Sequence, residues 1–545
     1  MPRCTIPSVL ILTLLLAACT STPPYQGGDR GRRTAPVYEV VAHGLTDDEA
    51  GRLREAFRLA ELALDEHGVA RYVDEKAFLA VPTRELPPGE AESEDEGPVV
   101  FERFDFEALR SIQVPAPEEA RSRAAEALRG ADLLPPEAEP VATHTRFEAT
   151  SAEGETLADH PIATAVSYRF SLRQVPLEGP GAKVRVAYGA GGEVVQLLHS
   201  VLRLEPGAEV PIVGRAEAAD RCATWTTSGY EGGDRRVSQA TLAYYAPHLS
   251  TRPERLEPSY RCETVHPNGA VGQVYFVPAA VQAERPALAP APQERRAGAD
   301  PQEAVAALVG RVDVGSEGTG PCSGLPHTAA NVASFNNRMS SAGVAVQFSW
   351  VDANAWEDDW KDPSRAGNDS TWVDNVDMAY WQGHGWPGGF SFSGCSSIDD
   401  ASMTNADALW GNRDAEWISL FTCLVLAAES GGQRWWQRWG PAFDRLHQIN
   451  SFDTVSYHSS QHGGIYADYL VRRPFLWWNH PMKVRQAWAQ ASIDDQPQQV
   501  VWATMGVIST AGWVNWNDYF WGHGPVGPDV PAAQIRGYWR VSGGS

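Results

Sequence analysis

The stretch DMAYWQGHGWPGGFSF, Asp377 to Phe392, decides how the chain is read. Its first half is a compact apolar run of strand-forming residues. The run breaks into Gly383-His384-Gly385 and then into a turn rich in Gly and Pro. Glycines on both sides let the backbone turn tightly and approach a ligand closely. Whether His384 does chemistry or holds the corner of a loop depends on what else reaches the same place.

Working outward, strand-like and helix-like segments alternate from about residue 305 to the end. TAANVASFNNRMSSAG, GGIYADYLVRR and KVRQAWAQAS have helical character. AVAALVGRVDVG, VAVQFSW, VDMAYWQ, AEWISLFT, LHQINSFDTVSY and QQVVWATMGV each hold a strand, and AEWISLFT is followed by a further helical stretch. About six strands with intervening helices predict an α/β domain over residues 305–545, its sheet mostly parallel and flanked by helices. In such sheets the functional crevice opens at the carboxyl ends of the strands. Cys423 follows AEWISLFT as His384 follows VDMAYWQ, 39 residues apart, which leaves room for a helical crossover. If the two strands are parallel neighbours, both residues emerge at one edge. Thiol catalysis needs that arrangement, because an adjacent imidazole accepts or stabilises the thiol proton near neutral pH. Backbone N–H groups near Gly385 and Cys423 would stabilise an oxyanion.

A strand ending in His-Gly, followed by a strand ending in Cys, resembles the caspase, gingipain and legumain group of cysteine peptidases. The resemblance implies a caspase-like fold, His384 as general acid/base, Cys423 as nucleophile, Gly385 in the oxyanion hole and a peptide or protein substrate. Thr422 stands where that group usually has Ala or Gly before the cysteine. The same region also resembles uncharacterised bacterial secreted proteins through Ala355-Trp356-Glu357, Gly383-His384-Gly385 and Leu446-His447 with Ser451-Phe452-Asp453-Thr454. That likeness carries no activity.

Other readings stand beside these. Cys423 is also read as a buried inert thiol, or as the disulfide partner of Cys322 or Cys395. If Cys322 pairs with Cys395, Cys423 is the odd thiol. The oxygen-rich loop with Asp352, Asn354, Glu357, Asp358 and Asp359 offers Ca²⁺ ligands but lacks EF-hand spacing, so a solvated loop is the better reading. No other cofactor and no other metal is expected. His458 and His462 have i,i+4 spacing without a companion glutamate, and Gly463-Gly464 argue against a zinc helix. Of 20 tryptophans, 19 lie beyond residue 304; most are expected in the core, with a sugar-binding platform as the alternative. A second triplet, Gly522-His523-Gly524, has no cysteine after it, so the tripeptide alone means little.

The remaining 300 residues read as accessory. A net charge of -23 excludes a nucleic-acid role, since nothing would neutralise phosphates. Arg3, the apolar run Val9 to Ala18 and Leu16-Ala17-Ala18-Cys19 resemble a bacterial lipobox. The resemblance implies a signal peptide at 1–18, lipidation of Cys19 and a membrane anchor in the cell envelope. Thr20 favours the outer membrane if the source is Gram-negative. Residues 19–36 read as a flexible tether and 37–145 as a small α+β unit, in which Thr46 to Glu49 form a capping box, Leu53, Phe57, Ala60 and Leu64 keep helical spacing, and Gly68 is a helix stop. Residues 146–277 read as a β-rich α+β unit. It has a hairpin turn at Gly189 to Gly192 and a natural disulfide pair, Cys222 and Cys262. Its strand pattern resembles the cystatin-like prodomains of some secreted bacterial peptidases; an adaptor is the other reading. Residues 278–304 form an Ala/Pro-rich linker. The expectation is a lipid-anchored envelope protein with a cysteine endopeptidase domain. The alternative is a non-catalytic lipoprotein that binds a glycan or a protein partner on a degenerate scaffold.

Overall fold

The computed structural model describes residues 33–86, 98–135, 137–225, 236–265, 270–285, 312–392, 401–474 and 479–545. The signal peptide, Cys19, most of the tether, most of the Ala/Pro-rich linker and Cys395 lie outside the described residues.

The strand Met378–Gln382 is buried along its whole length. Met378 and Tyr380 join the core on one face of the sheet, while Ala379 and Trp381 join the core on the other. A strand that alternates between two apolar layers must be central. Its neighbours follow from pairing. Asp313–Gly318 lies between it and Ala345–Val351, and Trp417–Phe421 and Gln448–Phe452 lie on its other side, all parallel. Helices Thr328–Ala342, His462–Val471 and Val484–Asp495 cover one face. The other face is covered by short 3₁₀ turns, loops and the brief helix Trp435–Trp439, with Trp360 packed against Trp381, Trp410 against Trp360 and Trp439 against Trp410. Ten tryptophans are among the largest fully buried side chains, as expected of core residues.

The parallel part holds five strands. Two helices in succession carry the chain from the end of Gln448–Phe452 away and back to the same, carboxyl edge of the sheet, so Val501–Ser509 enters antiparallel, and Ile535–Gly544 follows it antiparallel. The helical stretch expected directly after AEWISLFT is absent; the chain turns through loops and a two-residue hairpin before Trp435–Trp439. Ile535–Gly544 then pairs with Glu139–Ser151 of the upstream half. The molecule is therefore a mixed α/β protein with one large 19-stranded sheet, partly parallel in its C-terminal region.

Upstream, Thr46 and Glu49 make the capping box of helix Asp47–Ala56. The helix stops at Ala56, short of Leu64, and Gly68 sits in a turn at φ +79° rather than at a helix end. Strands Ala182–Tyr188 and Val194–Pro211 pair as a hairpin, and Cys222 is bonded to Cys262. Buried side chains tie this half to the C-terminal half. The Lys183 ammonium donates to the Ile493 and Gln496 carbonyls at the end of helix Val484–Asp495, where a cation satisfies unpaired carbonyls. Arg540 bridges Glu148 and Asp453, each at 2.7 Å. Among the described residues no helix is long and apolar enough to cross a membrane.

Candidate active site

Gln382 and Phe421 are register partners in adjacent parallel strands. Two residues further along each strand, His384 and Cys423 leave the sheet at its carboxyl edge. The chain turns sharply there, because Leu424, directly after Cys423, has φ +66°, a left-handed conformation that side chains with a Cβ rarely adopt. Gly385 is fixed by crowding. A Cβ there would lie 2.5 Å from Thr422 Oγ1 and 2.9 Å from the Cys423 carbonyl oxygen. At Gly383 it would meet the Trp381 ring at 2.7 Å. Both glycines thus let two strand ends pack together, a tighter role than the open ligand approach read from the sequence.

His384 is 1% exposed and both ring nitrogens are engaged by main chain. Nε2 lies 2.7 Å from the Ser323 carbonyl, and Nδ1 accepts the Gln273 backbone N–H at 3.2 Å. A carbonyl only accepts and an amide N–H only donates, so the ring is neutral with its proton on Nε2. Cys423 is a free, fully buried thiol. Cys322 is disulfide-bonded to a cysteine outside the described residues. The Cys423 sulfur accepts the Ser456 N–H at 3.4 Å and lies 3.6 Å from Ser456 Oγ. Burial pushes the thiol up to about 11, although both bonds from Ser456 pull it back.

The segment 270–275 of the upstream half lies across these strand ends. The Val271 N–H donates to the Gly385 carbonyl at 3.0 Å, and Val274 exchanges backbone bonds with Ser456 and His458 on the other side. Between them the Gln273 side chain enters the sheet edge. Its amide nitrogen lies 3.1 Å from the Phe421 carbonyl and 3.0 Å from Ser456 Oγ. Its oxygen is 3.3 Å from Gln382 Nε2 and 3.2 Å from His458 Nδ1. Gln273, Gln382 and Ser456 are fully buried. His458 also borders an open cleft of about 240 Å³, lined in part by Tyr275, Phe276, Pro326 and His327.

Sequence reasoning brought His384, Gly385 and Cys423 to this edge but missed Gln273, Gln382, Ser456, His458 and Ser323. The one local signal was a glutamine inside the apolar run AVGQVYF, since a polar residue in a buried strand needs a partner. His458 and His462 face different neighbours: His458 stacks on His327 and His462 on Phe421. The acidic loop turns inward rather than outward. Asp352 accepts the Gly320 and Cys322 N–H groups, and Asp374 accepts those of Gly411 and Ala415. Burial, reinforced by neighbouring Asp374, raises Asp369 to about 8. Among the described residues no group of three or more His, Cys, Asp or Glu is arranged to hold a metal ion, so the Ca²⁺ reading gains no site. The exposed large hydrophobics among the described residues are Val41 and Val281.

Residues 316–543 match a family described as a domain of unknown function, DUF6345. That span contains four of the five parallel strands and the second half of Asp313–Gly318, together with His384 and Cys423, and excludes Gln273. No curated protein matches the chain. The chain is similar to a solved structure of an uncharacterized protein from Eubacterium rectale ATCC 33656, with 12% identity over 47% of this chain and 87% of that one, at a TM-score of 0.26.

Proposed function

We propose that residues 305–545 form a caspase-like cysteine peptidase domain, held latent by residues 270–275, on a chain anchored to the cell envelope through lipid on Cys19. The observation that carries this reading is the parallel register of Gln382 with Phe421, which delivers His384 and Cys423 to one edge. In the working cycle His384 takes the thiol proton and the sulfur attacks the peptide carbonyl carbon. A C–S bond forms, and the oxyanion is received by N–H groups at Gly385 and Cys423. The C–N bond then breaks as His384 passes its proton to the leaving amine. Water, losing a proton to His384, attacks the thioester and releases a carboxylic acid and the restored thiol.

The resting arrangement opposes each step. The lone pair at Nδ1 is spent on the Gln273 N–H, and the thiol is buried and raised to about 11. Both obstacles are local to segment 270–275 and its pocket, so withdrawing that segment frees the base and wets the nucleophile. The same two facts favour a second reading, a catalytically silent scaffold that binds a partner.

The test uses the full chain with Cys19→Ser. Alkylation of Cys423 by iodoacetamide and cleavage of a peptide panel are measured with and without Gln273→Ala. The expected result is slow alkylation in the parent. In the variant, Cys423 alkylation should rise about tenfold over the parent and panel peptides should be cut. No acceleration and no cleavage would leave the silent scaffold.

A further inference from the structure

The Gln273 carboxamide is oriented by a chain of contacts that begins and ends on main chain. The Gly463 backbone N–H can only donate, and it donates to Asn331 Oδ1 at 2.7 Å. The Asn331 amide nitrogen therefore faces Tyr380 Oη at 2.8 Å and Gln382 Oε1 at 2.7 Å. That turns the Gln382 nitrogen toward the Ser459 carbonyl and Gln273 Oε1, both at 3.3 Å. Gln273 in turn directs its nitrogen to the Phe421 carbonyl, which can only accept. A second route reaches the same oxygen. The His327 N–H donates to His458 Nε2 at 2.9 Å, which leaves the proton on Nδ1, 3.2 Å from Gln273 Oε1 and 3.0 Å from the Gln382 nitrogen, so two donors converge on the one oxygen.

A primary carboxamide has two donor hydrogens and an oxygen with two acceptor positions. This pocket presents two acceptors and two donors, matched one to one, and its polar side chains Asn331 and Gln382 are 0% exposed. We infer that the pocket is a glutamine-specificity site, which in the opened peptidase receives a glutamine side chain of the peptide substrate and at rest is filled by Gln273. The backbone of the occupant supports a peptide ligand. Val271, Gln273 and Val274 each donate an N–H to the crevice wall, at Gly385, His384 and Ser456, and Val274 accepts from His458. An extended chain is thus held from both sides as an added strand. Other side chains fit worse. Glutamate would set an anionic oxygen against the Phe421 carbonyl. Leucine or methionine would replace all four contacts to the carboxamide with none. Lysine or arginine would face the Gln382 and His458 donors. The inference rests on the peptidase reading for its chemistry.

The experiment uses the full chain with Cys19→Ser and Gln273→Ala, and four fluorogenic peptides that differ only in Gln, Glu, Leu or Arg before the scissile amide. Gln273→Met, which keeps the volume and removes the carboxamide, is run in parallel in case the smaller residue collapses the fold. Iodoacetamide labelling of Cys423 is followed in both. The expected result is rapid labelling and a kcat/KM for the glutamine peptide at least about tenfold above the other three, as for sites whose buried polar groups the wrong ligand leaves unpaired. Rapid labelling with no glutamine preference, or with no peptide cut, overturns the specificity site and leaves the reactive thiol standing. Cys423 that stays unreactive in both variants overturns the peptidase reading and this inference with it.

Discussion

The chain carries Gly-His-Gly twice, and the two copies close opposite ends of one parallel sheet. Gly383-His384-Gly385 follows Met378–Gln382 at the carboxyl edge. Gly522-His523-Gly524 follows Trp521, whose indole N–H donates to Glu416, the residue before Trp417–Phe421, at the amino edge. His384 is buried, and main-chain groups fix both its nitrogens. His523 is only half-buried and stacks on Phe520. The buried histidine at the amino edge is His447, held between Asp518 at 2.7 Å and Asp529 at 3.1 Å. One end is thus closed by neutral hydrogen bonds to a segment more than a hundred residues upstream, and the other by charges from within the same domain. A closure built from neutral bonds to a distant segment is reversible without leaving charges buried and unpaired; a closure built from buried ions is not.

The largest effect that separates the two ends is on hydrolysis. In the Gln273→Ala chain, Cys423→Ser or His384→Ala should each lower kcat/KM by about 10³-fold or more. His523→Ala should leave cleavage at the parent rate. If His523→Ala costs as much as His384→Ala, the two triplets are not distinct in function.

The amino end should show its charge in stability. Burial pulls the His447 imidazolium down, but Asp518 and then Asp529 more than reverse this and raise it from 6.5 to about 9. A raised folded-state value favours the protonated native form, so the contribution is complete below pH 6.5 and disappears as pH rises through 9. His447→Gln should therefore destabilise the chain by about 3 kcal/mol at pH 6 and by little of that above pH 10, read from denaturant midpoints. A loss that is the same at both pH values would mean that His447 acts through packing alone.

How far this contrast could be read from sequence depends on the range of the interactions. The apolar runs MAYWQ and WISLF were legible as strands, and TAANVASFNNRMSSAG as a helix, which spans Thr328–Ala342 and ends at Gly343 (φ +95°). His384 and Cys423 were legible because each follows its own strand directly. The antiparallel entry of Val501–Ser509 was not, because it depends on two consecutive helices rather than on any residue in the strand. Gln273 was not, because its partners lie 109 to 185 residues away, in a part of the chain read as accessory. The helix after Thr46 was overextended because Leu64 kept the apolar period into what became a two-residue strand.

Opening the carboxyl end should be a smaller effect than losing its nucleophile. Gln273→Ala removes a carboxamide bonded on four sides but keeps the three backbone N–H contacts of the segment. The segment should loosen rather than leave, and Cys423 alkylation at pH 7.5 should rise about tenfold, the equivalent of about 1.4 kcal/mol. The thermal midpoint should fall less than in His447→Gln at pH 6. An unchanged alkylation rate would mean that the carboxamide does not govern access to the thiol.

The smallest effect belongs to the second triplet itself. Gly522 has φ +75° with open space where a Cβ would go, so a side chain there meets a conformational cost and no clash. Gly522→Ala should destabilise by about 1 kcal/mol, and Gly522→Asn by less, since asparagine tolerates the left-handed region. Neither should alter Cys423 alkylation, because Gly522 lies at the other end of the strands from Cys423. Were Gly522→Ala to speed alkylation, the amino end would be regulating the carboxyl one. The ionic cluster around His447 would then be the first place to look for the coupling.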